Sequence, residues 1–446
     1  MSIGLQDTGL DRTLLVLGVG SFAHSTTRIL QQDGARVMTY LTRDYAHWPP
    51  SLCGPTFRRD LHPSPLPLIE RERVALVIPQ SIDWAQAPWA PDLVRSGVPF
   101  LCPTGEALRL ERERDFARVL CEQFGIPYPL SVFARNRAEA FRWLSEHPGP
   151  YVIKNPLCGP FSPVHTIVCD SPEATRAWLA RVDDSEGLFL QQYLGPAEAG
   201  HIVLVSHGEV WSIVTNQEYK RAFNGNMGIV AGAPLGGLVE ADPEDRYGLA
   251  RALIHPLRPW LRQVRFHGPL QVTAAWHQDR WWVLEYNVRL GVTSGAMLLR
   301  MLQNPWETML RTAQDQTLHP QFIPHRRFGC SVTLAGYGYP YVQLSGPELP
   351  LEIREPLDTE ETDLWWNEVR QDDQGRLWAT GHRLADVIGF GPTLETALRR
   401  AYANIARLHC PGSYYRTDIG QSLWPPGSAL EPRPQPTQTS DVHMEP

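Results

Sequence analysis

Residues 284–291 read LEYNVRLG. Side chains on an extended strand alternate between faces, so Glu285, Asn287 and Arg289 share one face. A carboxylate, an amide oxygen and a guanidinium then converge on one spot. Mg2+ bound to a nucleotide takes one or two carboxylates plus phosphate oxygens, and Arg matches a phosphoryl or acyl-phosphate group. The row suits nucleotide chemistry, and it suits a salt-bridged strand face equally well. Just upstream, LQVTAAW (270–276) and WWVLEYNV (281–288) flank His277, Gln278, Asp279 and Arg280, which read as a hairpin turn. The hairpin looks like the floor of a site.

Earlier still, TNQEYKR (215–221) brings Gln, Glu, Lys and Arg together after the strand VWSIV, as a ligand-facing strand end or a solvated hairpin edge. The spacing predicts a helical segment near 246–263 and strand pairs at 151–168 and 188–214, the two pairs suggesting a small α+β lobe. From Leu110 the charged stretch LERERDFARVLCEQF predicts one helix that stops at Gly125, Ile126 and Pro127. At the start, TLLVLGVG (13–20) reads as strand, glycine turn and helix. Further short strands follow at Val37 to Tyr40, Val74 to Ile78 and Pro99 to Cys102. That rhythm argues an N-terminal doubly wound parallel-sheet domain. Downstream, strands at 330–335 and 386–389 and a helix at 393–409 suggest a small C-terminal α+β domain. The expected division is 1–110, 111–325 with a small lobe at about 125–205, and 326–423. A Pro-rich tail at 424–446 is expected to be disordered.

Composition narrows the function classes. The chain has 446 residues, 43% of them hydrophobic, and 41 basic against 48 acidic residues give a formal charge of -7. A global attraction for nucleic acid is not expected. No apolar stretch approaches the ~18 residues of a membrane span, and the start MSIGLQDTGLDR has no apolar signal core, so a cytoplasmic protein is expected. The seven cysteines are widely spaced without a C-x-x-C pair, which points to buried thiols rather than disulfides or zinc. Only two of the 41 basic residues are lysines, Lys154 and Lys220. A compact ammonium differs physically from a guanidinium fork, so both positions are functional candidates, against chance survival on a biased background.

The order of the pieces resembles the phosphoribosylamine-glycine ligase family of the ATP-grasp superfamily, from about residue 13 to 422. TNQEYKR looks like the family's T-S-Q-D-H-K-R, LEYNVRLG like I-E-F-N-C-R-F-G, and MLLRM (297–301) like I-M-L-R-M. Pro103-Thr104 and Leu110-Glu111 match the start of the grasp region, where Arg114 stands at the family's lysine. Gly338-Tyr339-Pro340 resembles G-G-Y-P, RRAYANI (399–405) resembles K-R-A-Y-A-L-M, and Arg416, Asp418, Ile419 and Gly420 reproduce R-x-D-I-G. The resemblance implies a two-lobe ATP-grasp domain that binds ATP and Mg2+ and joins a small-molecule carboxylate to an amine through an acyl phosphate. It implies Lys154, Arg114, Gln191, Gln192 and Glu198 at the nucleotide, Glu285 and Asn287 at the metal, and Arg289 and Lys220 as catalytic groups. A monomer or small homo-oligomer is expected.

The departures keep a second class open. Where the family has the glycine-rich loop A-D-G-L-A-A-G-K-G-V, residues 155–164 read NPLCGPFSPV, with three prolines and no lysine. The family's hinge Glu-Glu pair is Gln191-Gln192, G-D-P-E becomes Gly291-Val292-Thr293-Ser294, and of G-N-G-G-R-E-H only Gly18, Gly20 and His24 remain. The readings are therefore a carboxylate-amine ligase and a degenerate ATP-grasp protein that binds nucleotide without turnover.

Overall fold

The apolar run Leu14 to Leu17 is wholly buried because its strand lies inside a parallel sheet. Thr13–Leu17 pairs in parallel with Arg36–Leu41 on one side and Leu76–Pro79 on the other, and Thr56–Arg58 closes the outer edge. The helix Gly20–Gln32 follows the glycine turn and buries Phe22, Ala23, Ile29 and Leu30. The doubly wound expectation holds for this sheet. The strand expected at Pro99 to Cys102 is reduced to a single parallel bridge, Val77 to Phe100. Prolines 99 and 103 bracket that segment and cannot donate to a ladder. The computed structural model describes residues 12–43, 54–159, 166–341 and 347–421. Cys53, residues 160–164 of the replaced loop and the tail 424–446 lie outside the described residues.

The next unit is a four-stranded antiparallel sheet in the order Ser131–Ala134, Leu188–Gln192, Tyr151–Lys154, Thr166–Val168. Two capped helices belong to it: Asn136 accepts from the Glu139 N–H and Ser171 from the Ala174 N–H. The strand pair expected at 188–214 divides here. Leu188–Gln192 joins the small sheet, whereas Glu198–Ser206 and Glu209–Glu218 form a hairpin in a different, eight-stranded sheet. The small sheet therefore closes before 198, short of the expected 205. The charged helix also differs from expectation, because it breaks at Glu113 into Arg109–Arg112 and Arg114–Gln123. The break is made by a distant partner: Cys158 N donates to Arg112 O at 2.8 Å and Arg114 N to Pro156 O at 3.1 Å.

The large antiparallel sheet runs Arg280–Asn287, Gly268–His277, Glu198–Ser206, Glu209–Glu218, Gly236–Ala241, Phe328–Ala335, Arg383–Gly391, Thr362–Trp366. Its last three strands come from the segment expected to be a separate C-terminal domain, so that segment extends the central sheet through the Gly236 to Val332 register. The helix Leu394–Ile405 lies on Arg383–Gly391 and Phe328–Ala335. A side chain at Gly389 would collide with the Ala397 carbonyl, so the helix seats there only on glycine. The segment at 246–263 is two short helices, Leu249–Leu253 and Arg258–Gln263, separated by a turn containing Pro256. Among the described residues no helix is long and apolar enough to cross a membrane. Of the six described cysteines five are buried and Cys158 is half-buried, all as free thiols.

Candidate active site

The hairpin turn forms where expected, with Gln278 and Asp279 at φ 49° and 57°, the left-handed pair that a two-residue connection demands. The strand that leaves it carries a bulge. Thr273 pairs with Glu285 but Ala274 pairs with Val283, so Leu284 has no partner across the ladder. Its carbonyl instead accepts from Lys154 Nζ and from Gln191 Nε2, each at 3.3 Å, while Lys154 Nζ donates to Gln191 Oε1 at 2.7 Å. Lys154 ends the buried strand YVIK of the small sheet. One ammonium thus latches the small sheet to the large one at the site's floor.

Past the bulge, Glu285 and Asn287 point together into a cleft of about 1010 Å³ and Tyr286 points into the core. Glu285 lies 3.6 Å from Arg114 Nη1 and 3.6 Å from Lys220 Nζ. Burial pushes its carboxyl up, but Lys220, Lys154, Arg114 and Arg289 hold it down at about 2, so it stays ionised. Burial opposes the charge on Lys220 as well. Glu285, Glu198 and Glu218 nevertheless raise its pKa, the last two lying 3.8 and 3.9 Å from Nζ. Among the described residues no carboxylate lies that close to Lys154; burial, then Arg114 and Lys220, lower it to about 8 despite the pull of Glu285. Arg114 Nε donates to Asn155 O at 2.8 Å.

Arg289 lies just past the regular strand and still joins the row. Its Nη2 donates to Asn287 Oδ1 at 3.0 Å and its Nε is 3.3 Å from Glu111 Oε1. The other Glu111 oxygen accepts the Val288 N–H at 2.7 Å. Arg114, Lys154, Gln191, Gln192, Glu198, Lys220, Glu285, Asn287 and Arg289 all line the one cleft. Sequence reasoning gave Glu111, Glu218 and the Leu284 carbonyl no role. The first two stood inside quoted motifs, but the bulge that frees the carbonyl left no local signal. Lys220, 65 residues before Glu285 along the chain, reaches it with its ammonium.

The glycine turn also lines the cleft. Val19 N donates to Gln80 Oε1 at 2.7 Å, and Gly20, at φ 63°, abuts the Asn367 side chain where a β-carbon would stand. Val19 supplies no side-chain cap to the helix. Ser21 Oγ, in a residue only 2% exposed, has no hydrogen-bond partner and lines the cleft. His24 is buried below the turn, its imidazole lowered to about 3 by burial and then Arg28, and is neutral. Among the described residues His201, Asp242 and Asp245 form a group with metal-ligand spacing. Its carboxylate oxygens are used internally, by the Thr215 hydroxyl at 2.8 Å and by the Arg246, Ala250 and Arg251 N–H groups.

The comparisons with known proteins agree with this architecture. A profile of the phosphoribosylglycinamide synthetase C domain matches residues 329–422. A phosphoribosylamine-glycine ligase of Leifsonia xyli is 30% identical over 343 residues, covering 74% of this chain and 80% of its own length. The Streptomyces coelicolor enzyme of the same name is 27% identical, with 74% and 79% covered. The crystal structure of phosphoribosylamine-glycine ligase from Thermotoga maritima superposes with a TM-score of 0.71 at 22% identity, covering 91% of this chain and 99% of that one. A biotin carboxylase from Campylobacter jejuni, solved as a β-γ-ATP complex, reaches 0.65 at 13% identity, covering 91% and 93%. With TNQEYKR and LEYNVRLG brought together on one cleft of this fold, the chain belongs to the phosphoribosylamine-glycine ligase family of ATP-grasp enzymes.

Proposed function

We propose that this family member is an ATP-dependent carboxylate-amine ligase that joins glycine to 5-phosphoribosylamine, with ATP and Mg2+ bound in the cleft. The observation that carries the reading is the arrangement around Glu285, where four cations hold one carboxylate in its ionised form on a strand face it shares with Asn287. Arg114, Lys154, Lys220 and Arg289, gathered on one cleft, offer a polyphosphate several charged donors. An ionised carboxylate beside an amide oxygen fits Mg2+, which when bound neutralises charge on phosphate oxygens.

In this reading Lys154 and Arg114 meet the nucleotide phosphates, and Gln191, Gln192 and Glu198 border the nucleotide. Transfer of the γ-phosphoryl group to the glycine carboxylate leaves ADP and an acyl phosphate. The amine nitrogen then attacks the acyl carbon, forming the C–N bond and expelling inorganic phosphate. Arg289, oriented by Glu111 and Asn287, faces the acyl phosphate. Lys220 acts as a fixed positive charge rather than a base, because its carboxylate neighbours keep it protonated. Catalysis here is positioning and charge neutralisation. The uncapped N-terminus of helix Gly20–Gln32, with the unpartnered Ser21 hydroxyl, suits the phosphate of the amine substrate.

Non-catalytic nucleotide binding is favoured by one observation: the Cys158 N–H, within the segment replacing the family's phosphate loop, is committed to Arg112 O. Phosphate release decides between them. A ligase releases phosphate only when ATP, Mg2+, the carboxylate and the amine are all present; the alternative binds ATP and releases none.

A further inference from the structure

The R-x-D-I-G motif of the C-terminal segment has no part in the chemistry above, and Arg416 itself is 1% exposed and absent from the cleft wall. Each of its three guanidinium nitrogens is nevertheless engaged. Nε and Nη2 pair with the Asp418 carboxylate at 2.8 and 2.6 Å, Nη1 donates to Arg221 O at 3.0 Å and Nη2 to Asn226 Oδ1 at 3.0 Å. The same guanidinium lies 5.0 Å over the Tyr219 ring. Tyr219 and Arg221 are the chain neighbours of Lys220, so one buried cation grips the residue on each side of it.

The remaining motif residues reinforce the grip. Asp418 Oδ2 accepts the Gly225 N–H at 2.9 Å and the Gly420 N–H donates to Tyr219 Oη at 2.8 Å. Thr417 and Asn224 exchange two hydrogen bonds, at 2.7 and 3.0 Å. From the helix Leu394–Ile405, Tyr402 Oη donates to Arg416 O at 2.9 Å and accepts the Ile419 N–H at 3.1 Å. The hairpin Arg221–Phe223 with Met227–Val230, whose Arg221, Asn226, Ile229 and Val230 line the cleft, hangs from these contacts.

We infer that Arg416 and Asp418 are positioning residues that fix the Lys220 ammonium among Glu198, Glu218 and Glu285, making the C-terminal segment part of the catalytic machinery. A bidentate Arg-carboxylate pair sets angle as well as distance, and a small displacement of a charge-stabilising group costs rate steeply. The inference rests on the proposed ligase reading for its kinetic arm alone.

The chain's lysine scarcity supplies an independent arm. Full-length protein labelled with 13C at lysine Cε gives two side-chain signals, assigned by the one that Lys220→Arg removes. Asp418→Asn is expected to move the Lys220 signal and leave that of Lys154 in place. In turnover, Asp418→Asn and Arg416→Lys are expected to lower kcat at least fivefold with the MgATP Kd within twofold, and to add less than twofold to the loss already caused by Lys220→Arg. A folded Asp418→Asn protein with an unmoved Lys220 signal overturns the inference, as does a kcat loss that multiplies fully onto Lys220→Arg. Should Asp418→Asn fail to fold, Asn224→Ala on the exposed side of the loop decides by the same signal: movement supports the inference and no movement overturns it. A parent that releases no phosphate refutes the ligase reading, and the lysine signals still test the anchoring.

Discussion

Lys154 carries a charge that the free protein holds only weakly, and this gives the nucleotide site a pH dependence. Burial, with Arg114 and Lys220 nearby, lowers it to about 8, so the ammonium loses its proton as pH rises through that value. Bound phosphates favour the charged form. ATP binding is therefore expected to take up close to one proton at pH 9 and much less at pH 7, with affinity falling as pH rises above about 8. Calorimetry in two buffers of different ionisation enthalpy measures the uptake, and none at pH 9 contradicts the assignment. Lys154→Arg is expected to weaken ATP binding or turnover about tenfold, ~1.4 kcal/mol, because the ammonium sits between Gln191 Oε1 and the Leu284 carbonyl where a planar fork does not fit. Glu285→Gln is expected to weaken Mg2+-dependent nucleotide binding about tenfold while leaving Mg2+-free binding equal or tighter, since it releases cations now paired to the carboxylate. Equal losses with and without Mg2+ refute the metal role. Both lysines and the Glu285, Asn287, Arg289 row were legible in the sequence, the lysines from their rarity and the row from strand alternation. The meeting of Lys220 with Glu285 was not, because it depends on Lys220, just past Glu209–Glu218, reaching over two intervening strands of the sheet to Arg280–Asn287.

At the scale of elements, regular periodicity was readable and its interruptions were not. The hairpin around Gln278 and Asp279 and the parallel N-terminal strands follow from local pattern. The bulge at Leu284 and the break at Glu113 arise from partners far along the chain, and each interruption serves the site. The first frees a carbonyl for Lys154. The second separates Glu111, which faces Arg289, from Arg114, which faces Glu285. Glu111 also ties its helix to the strand end through the Val288 N–H. Glu111→Gln retains an acceptor for that N–H but leaves Arg289 without its carboxylate. It is expected to cost about 1–3 kcal/mol in urea unfolding and to lower kcat more than it alters ATP affinity. An unchanged stability and kcat refute the staple.

Across the whole molecule the expected domains share more than a linker. The strand Phe328–Ala335 of the C-terminal segment hydrogen-bonds Gly236–Ala241 of the grasp region, and Trp365, Ile388 and Phe390 pack in one apolar cluster with Leu14, Phe22 and Met297. Sequence alone marked that segment by its motifs, yet a shared sheet edge leaves no trace in composition. Residues 326–421 expressed alone are expected to be largely unfolded by circular dichroism, with the unpaired edge of Phe328–Ala335 prone to aggregation; a cooperative melt of the fragment contradicts this. The central claim is that the cations gathered on this cleft serve an ATP-dependent C–N bond formation. Its most direct measurement is phosphate release by the full chain with ATP, Mg2+, glycine and 5-phosphoribosylamine, omitting one component at a time. The account predicts release at one phosphate per amide formed, abolished by each omission and by Glu285→Gln. ATP binding without release under the complete mixture contradicts it.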